Sequence, residues 1–203
     1  RIDVISSGVD TEWFDPFSDS RSPDPHRIVT TGDYGWPPTS DGLRHLVNEI
    51  FPRIRQEIPD VRLSIVGQNP PEIVKTTAKG SGIDVLGRVG DIRPEILRGS
   101  VFVVPTRIGS GIRLKILEAM AMRRPVVSTS VGCEGIGAEP EVDIIVADVP
   151  EMFAASVVQL LRDQSRAARI ADSAAALIHR RYAWSILATQ FDRLFRSLAD
   201  GSV

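Results

Sequence analysis

Short apolar runs alternate along this chain with longer stretches whose apolar residues recur every three or four positions. The runs cover about 27–31, 61–66, 83–86, 101–104, 126–129 and 143–147, each bounded by Gly, Pro, Asn or Asp, and they predict six strands. Between them, helical spacing places Leu43, Leu46, Val47 and Ile50 on one face of a helix that Ser40 would cap and that runs to about Glu57. A short helix follows to about Ala78, and Asp91 caps another to Arg98. Leu114, Leu117 and Ala121 begin a helix that Pro125 ends, and Val149-Pro150 opens one running to Arg162. Beyond Ser165 the pattern is helical to about His179. The stretch Tyr182-Ala183-Trp184-Ser185 then breaks it before a last helix, 186–198, with Leu187, Phe191, Leu194 and Phe195 as its apolar stripe. At the start, residues 2–5 read as a strand, and 15–26, with three prolines, as a loop.

Within 101–130, strand, glycine loop, helix and strand follow one another with tight connections, which makes one βαβ unit with parallel strands and a right-handed crossover. Helices between nearly all six strands extend that unit to a fold class of α/β, a Rossmann-like doubly wound parallel sheet of order 3-2-1-4-5-6 with C-terminal helices. In such a sheet, ligands bind at the carboxyl ends of the strands, where the glycine loop lies.

Composition narrows the partners. With 203 residues, 42% hydrophobic and 25% charged, the chain is long enough for one full core. A net charge of −2 gives no reason to expect nucleic acid. No apolar run approaches the roughly 18 residues of a membrane span, and no signal peptide is expected. The expected location is cytoplasmic. Between Arg162 and Arg196, seven arginines face three aspartates, so membrane contact is at most peripheral. A lone Cys133 excludes an internal disulfide, and His26, His45 and His179 lack metal-ligand spacing, so no metal site is expected.

The loop Arg107-Ile108-Gly109-Ser110-Gly111-Ile112-Arg113 carries the candidate chemistry. Gly109-Ser110-Gly111 has little bulk, so its N–H groups can approach a ligand, and the helix N-terminus behind it favours an anion. Arg107, Arg113 and Lys115 add positive charge at an end where structural helices favour Asp or Glu. The dipole contributes about 0.3–1 kcal/mol and each hydrogen bond to a charged group roughly 1.5–3, so the side chains decide the affinity. Glu118, three residues after Lys115, is placed either to accept hydrogen bonds from hydroxyls of a ligand held there by its phosphates, or to form an ordinary surface pair with Lys115.

The run Gly109-x-Gly111-x-Arg113-Leu114-Lys115-x-Leu117-Glu118-Ala119-Met120-Ala121, followed by Pro125-Val126-Val127-x-Thr129, resembles the nucleotide-sugar-binding motif of retaining glycosyltransferases of family four (glycosyl transferases group 1), of GT-B fold. Ser7-Gly8-Val9-Asp10 and Phe14 resemble that family's interdomain segment, with Ser7 in place of the usual asparagine. The resemblance covers nearly the whole chain. It implies an interdomain strand and linker at 1–26, a nucleotide-sugar-binding domain at 27–182, and a crossover helix at 183–203, with an N-terminal acceptor domain outside this chain. It implies transfer of a sugar from a nucleotide diphosphate sugar with retention, as in polysaccharide biosynthesis, without a metal or other cofactor.

By the same resemblance, Glu118 holds the ribose hydroxyls, and Gly32, Arg107, Gly109, Ser110, Gly111 and Ile112 surround the donor. Many members carry an arginine and a lysine shortly after the first-strand loop to hold the diphosphate, this chain has neither before Arg44, and the place of Arg113 and Lys115 near a helix start assigns that role to them. The family turn matching Gly87 to Val89 lies against the base, so Arg88 and Val89 are the base-side candidates, with a plain solvent-facing turn the other reading of Arg88. From their place at the same edge, Gly132 and Glu134 either contact the sugar or merely connect strands. A second family glutamate, eight positions before Glu118, is replaced here by Ser110. Trp36 reads as a packing residue rather than a ligand platform. A nucleotide-sugar epimerase of GT-B fold and a non-catalytic nucleotide-binding domain remain as alternatives. A nicotinamide oxidoreductase would need Gly-x-Gly-x-x-Gly after the first strand, which Gly32-Asp33-Tyr34-Gly35-Trp36 does not supply.

Overall fold

The structure, a computed structural model, describes residues 2–17 and 22–199. Parts of the expected linker (18–21) and of the expected crossover helix (200–203) lie outside the described residues. Six strands form one parallel sheet: β1 (Asp24–Thr31), β2 (Arg62–Val66), β3 (Ile83–Gly87), β4 (Gly99–Val104), β5 (Val126–Ser128) and β6 (Ile145–Val146). Their order is 3-2-1-4-5-6, the doubly wound topology that the sequence predicts. The order reverses between β1 and β4, so their carboxyl ends flank the crevice in which such sheets hold ligands.

Helices cover both faces because the strands carry apolar side chains on both. On one face, α1 (Pro37–His45), α2 (Phe51–Glu57), α3 (Glu72–Ala78) and α6 (Pro150–Arg162) pack on Ile28, Leu63, Ile65, Val101 and Val103. On the other, α4 (Arg93–Arg98) and α5 (Leu114–Ala121) pack on Val29, Val66, Phe102 and Val104. Each fully buried Val, Leu, Ile or Phe contributes roughly 1.5–3 kcal/mol of transfer free energy. The helix α7 (Gln164–Arg181) joins the two faces. Its Ala167 and Ile170 belong to the first core, and its Ala174, Leu177 and Ile178 to the second.

Local chemistry shifts several predicted boundaries. Ser40 is not the cap of α1. The helix opens on Pro37 and Pro38 after Trp36, because proline fits a first turn whose N–H groups need no intrahelical partner. The expected helix from Ser40 to Glu57 is broken by a π-helical turn, Leu46–Ile50, just before Pro52. Proline has no N–H to give to the preceding turn, and its ring crowds the carbonyl four residues back. Asp143 falls outside β6, since its carboxylate accepts hydrogen bonds from the Glu139 amide and the Ser173 hydroxyl. On α5, Leu114 is exposed, while Ile116, Leu117, Ala119 and Met120 form the buried face.

Residues 2–5 are not a strand, because no described strand runs beside them, and Ile2 and Val4 are exposed. The segment becomes fixed at Val9, which exchanges backbone hydrogen bonds with Tyr182 and Trp184 at the start of α8 (Trp184–Ala199). Of the expected stripe on α8, Leu187 is buried, whereas Phe191 and Phe195 stack on each other in the open. Among the described residues, no helix is long and apolar enough to cross a membrane.

Candidate functional site at the carboxyl edge of the sheet

Three loops meet at the switch in strand order. The first follows β1 and is built as a braced turn. Gly32 N–H donates to Val66 O at 3.0 Å and Tyr34 N–H to Gln68 O at 2.9 Å, which ties this turn to the loop after β2. The Asp33 carboxylate accepts from Gly35 N–H, Gln68 Nε2 and Asn69 Nδ2 at 2.9–3.0 Å. Those bonds, that of Asn69 foremost, hold its pKa below the usual carboxylate value. Tyr34 is buried beneath the turn, with its hydroxyl directed at Thr30 O and Val66 O, and burial pushes its pKa far up. The turn approaches the second loop so closely that a Cβ on Gly67 would lie 1.8 Å from Gly32 O.

The second element is α5, which carries Lys115 and Glu118 to this end. Lys115 does not pair with Glu118. Its Nζ reaches across the edge of the sheet and donates to Thr31 O at 2.6 Å, beside Gly32, where an added Cβ would lie 2.9 Å from that nitrogen. Burial lowers the Lys115 pKa to about 8, against the opposing pull of Glu118. The Glu118 carboxylate accepts no hydrogen bond from any described residue, and burial raises its pKa. The surface-pair reading of these two residues is therefore excluded. An ammonium and a carboxylate one helical turn apart are both held partly dry, and neither satisfies the other.

The third element is the glycine loop after β4. Gly109, Ser110 and Gly111 are exposed, and their backbone N–H groups donate to no described residue. Arg113 is turned back on this loop, its guanidinium donating to Ser110 O at 2.6 Å and Gly111 O at 2.5 Å. Arg107 is engaged elsewhere, in a two-pronged pair with Asp41 of α1 at 2.7 and 3.0 Å that lowers the Asp41 pKa. The structure thus brings Gly32, Lys115, Glu118 and the Gly109–Gly111 amides to one end, and spends Arg107 and Arg113 on holding the loops.

Ile112 and Val89 lie partly buried against the α4/α5 core, while Arg88 is exposed beside Val89. Gly132 is buried against Ser128 and Val104 O, which makes it a packing position, and Glu134 is exposed. Among the described residues, no three His, Cys, Asp or Glu side chains are grouped to hold a metal.

Two features had no signal in the sequence. Asp41 fixes Arg107 from 66 positions away, and Thr31 contributes through a backbone carbonyl. Trp36, expected to pack, is 64% exposed.

Chemically, the end offers fixed N–H donors and a positive charge to an anion, and a carboxylate to hydroxyl groups nearby.

Comparison with known proteins agrees with this fold. Phosphatidyl-myo-inositol mannosyltransferase of Mycobacterium tuberculosis is 27% identical over 208 residues, covering 96% of this chain and 54% of its own. A solved Anabaena protein in complex with UDP and glucose superposes with TM-score 0.78 at 17% identity, over 96% of this chain and 57% of that one. The C-terminal domain of a glycosyl transferase group 1 protein from Francisella tularensis superposes with TM-score 0.70 at 17% identity, over 87% of this chain and all of that domain. The chain spans about half the length of the curated relatives it matches. The family model for glycosyl transferases group 1 matches residues 25–163, most of this chain, and the chain belongs to that family.

Proposed function

We propose that this chain binds a nucleotide diphosphate sugar and is the donor-binding half of a glycosyltransferase that transfers the sugar with retention. The observation that carries the reading is Lys115, whose partly buried ammonium stands beside Gly32 while the free amides of the glycine loop open at the same end. A diphosphate replaces Thr31 O as the acceptor of the Lys115 hydrogen bond, and Glu118 accepts from the ribose hydroxyls. The bond that breaks joins the anomeric carbon to a diphosphate oxygen. Charge develops on that oxygen, where Lys115 and the loop amides lower the barrier electrostatically. In this proposal those groups do the work of a metal ion, so chelation leaves donor binding unchanged. The acceptor site belongs to a part of the protein outside this chain, and the UDP-bound Anabaena neighbour supports the donor assignment.

Calorimetric titration with UDP, GDP and ADP tests the reading. One diphosphate is expected to bind selectively, with weaker binding in Glu118→Ala and Lys115→Ala. Unaltered affinity in both variants would remove the site from this end of the sheet.

A further inference from the structure

We propose that Trp36 is a platform on which a pyranose ring of the substrate stacks, next to the diphosphate. The inference rests on the donor-site reading above and adds a residue to it. Trp36 is the cap residue of α1, and its backbone is fixed on both sides. Its N–H donates to Asp33 O at 3.4 Å, its O accepts from Ser40 N–H at 2.9 Å, and Pro37 and Pro38 follow. The turn before it is braced by the three bonds to Asp33 and by the Tyr34 hydroxyl, whose single proton is shared between Thr30 O and Val66 O. A backbone pinned this firmly nevertheless holds the indole in water. Tryptophan is enriched at binding surfaces, where its apolar ring meets a partner while its N–H stays wet.

The two faces of the sheet show what it meets. Val89, Ile112 and Glu118 belong to the α4/α5 side, where the nucleoside is expected. Trp36 and Tyr34 belong to the α1 side. Lys115 and Gly32 stand on the edge between them. A nucleotide sugar with its nucleoside on the first side and its diphosphate on the edge directs what lies beyond the diphosphate toward α1. The glycine loop leans the same way, since a Cβ on Gly109 would lie 3.8 Å from Pro38. Beyond the diphosphate come the donor sugar and then the acceptor; the donor sugar, and any acceptor that is itself a sugar, presents the C–H face of a pyranose, which suits an indole.

Tryptophan emission reads this directly. With Trp13→Phe and Trp184→Phe, Trp36 is the sole indole of the chain's three. The probes are UDP, GDP and ADP against UDP-glucose, UDP-N-acetylglucosamine, GDP-mannose and ADP-glucose, followed by methyl α-glucoside and methyl α-mannoside added to diphosphate-saturated protein. A donor sugar on Trp36 changes its emission with the sugar conjugate and not with the bare diphosphate. An acceptor sugar changes it with the methyl glycoside.

Calorimetry on otherwise wild-type Trp36→Ala and Trp36→Phe guards against a misfolded double variant. The sugar-dependent part of the affinity is expected to fall roughly three- to tenfold in Trp36→Ala and to be largely kept in Trp36→Phe. An equal loss for bare and sugar-bearing diphosphates, or silence of Trp36 toward every sugar, overturns the platform and leaves the donor site standing. Failure of every diphosphate to bind the unaltered protein overturns the donor site, and the platform with it.

Discussion

The loops after β1 and β2 and the loop after β4 border the same crevice but are built in opposite ways. The first two are welded together by backbone bonds, by Asp33 and by the contact of Gly67 with Gly32 O. The third is tied to α1 at its start by the Arg107–Asp41 pair, but beyond Arg107 its bonds among the described residues are to itself, through Arg113, and a Cβ on Gly111 would meet nothing within 4 Å. One side of the crevice is a frame and the other a jaw. An enzyme that must both position a diphosphate and release it has use for each, because rigid donors lower the barrier and a loosely held loop permits exchange.

The contrast breaks first at Gly67. Its φ of +134° and its lack of room make Gly67→Ala destabilising by about 3 kcal/mol or more. The change is expected as a fall in melting temperature of several degrees. A melting temperature within a degree of the parent would show that the two loops are not welded.

Lys115→Ala comes next, and acts on binding. Loss of one hydrogen bond to a charged group weakens diphosphate affinity by roughly 1.5–3 kcal/mol, about ten- to a hundredfold. The cores on both faces are untouched, so the circular dichroism spectrum is expected to stay that of the parent.

The pKa of about 8 gives a pH signature for the same residue. Lys115 must be charged to hold a diphosphate, so affinity is expected to fall as pH rises from 7 to 9, and Lys115→Arg to flatten that fall. Stability moves the other way. Below the folded pKa, Lys115 is charged in both folded and unfolded chains, and burial disfavours the folded one. Between about 8 and the unfolded value of 10.5 the unfolded chain binds more protons, so that cost is relieved as pH rises. Lys115→Met is therefore expected to raise the melting temperature near pH 7 and to lose that advantage by pH 10.

The smallest effect is Gly111→Ala. Its φ of +85° makes alanine strained by about 1–2 kcal/mol, but within a loop that already stands open. The loop is expected to shift locally, with weaker diphosphate binding and a melting temperature lowered less than in Gly67→Ala. Equal losses in the two variants would erase the distinction between frame and jaw.

The sheet was legible in advance because parallel strands buried on both faces leave short apolar runs, and runs such as Val101-Phe102-Val103-Val104 have no competing reading. Their order followed from the intervening helices and from handedness. Helix starts were harder. Pro37-Pro38 resembles a stiff turn until the helix behind it is seen to begin there. At the site, Glu118 and Lys115 stood out as charges near a helix start, but the partner of Lys115 is a carbonyl, and carbonyls leave no trace in side-chain pattern. The arginines were legible as charge and not as partners. Positive charge near a glycine loop signals an anion, whereas Arg107 answers to Asp41, and Arg113 to its own backbone. Burial was misjudged at Trp36 because side-chain size says nothing about which way a capped turn presents it.

The helix α7 gives the two faces a shared fate. Its N-terminal half belongs to one core and its C-terminal half to the other, so neither layer can melt while that helix keeps its place. Because the crevice is assembled from both layers, subglobal opening that would separate Glu118 from the β1 turn requires α7 to detach. The amides of α5 and of β1 are thereby expected to exchange with solvent deuterium at one common rate, set by the whole domain.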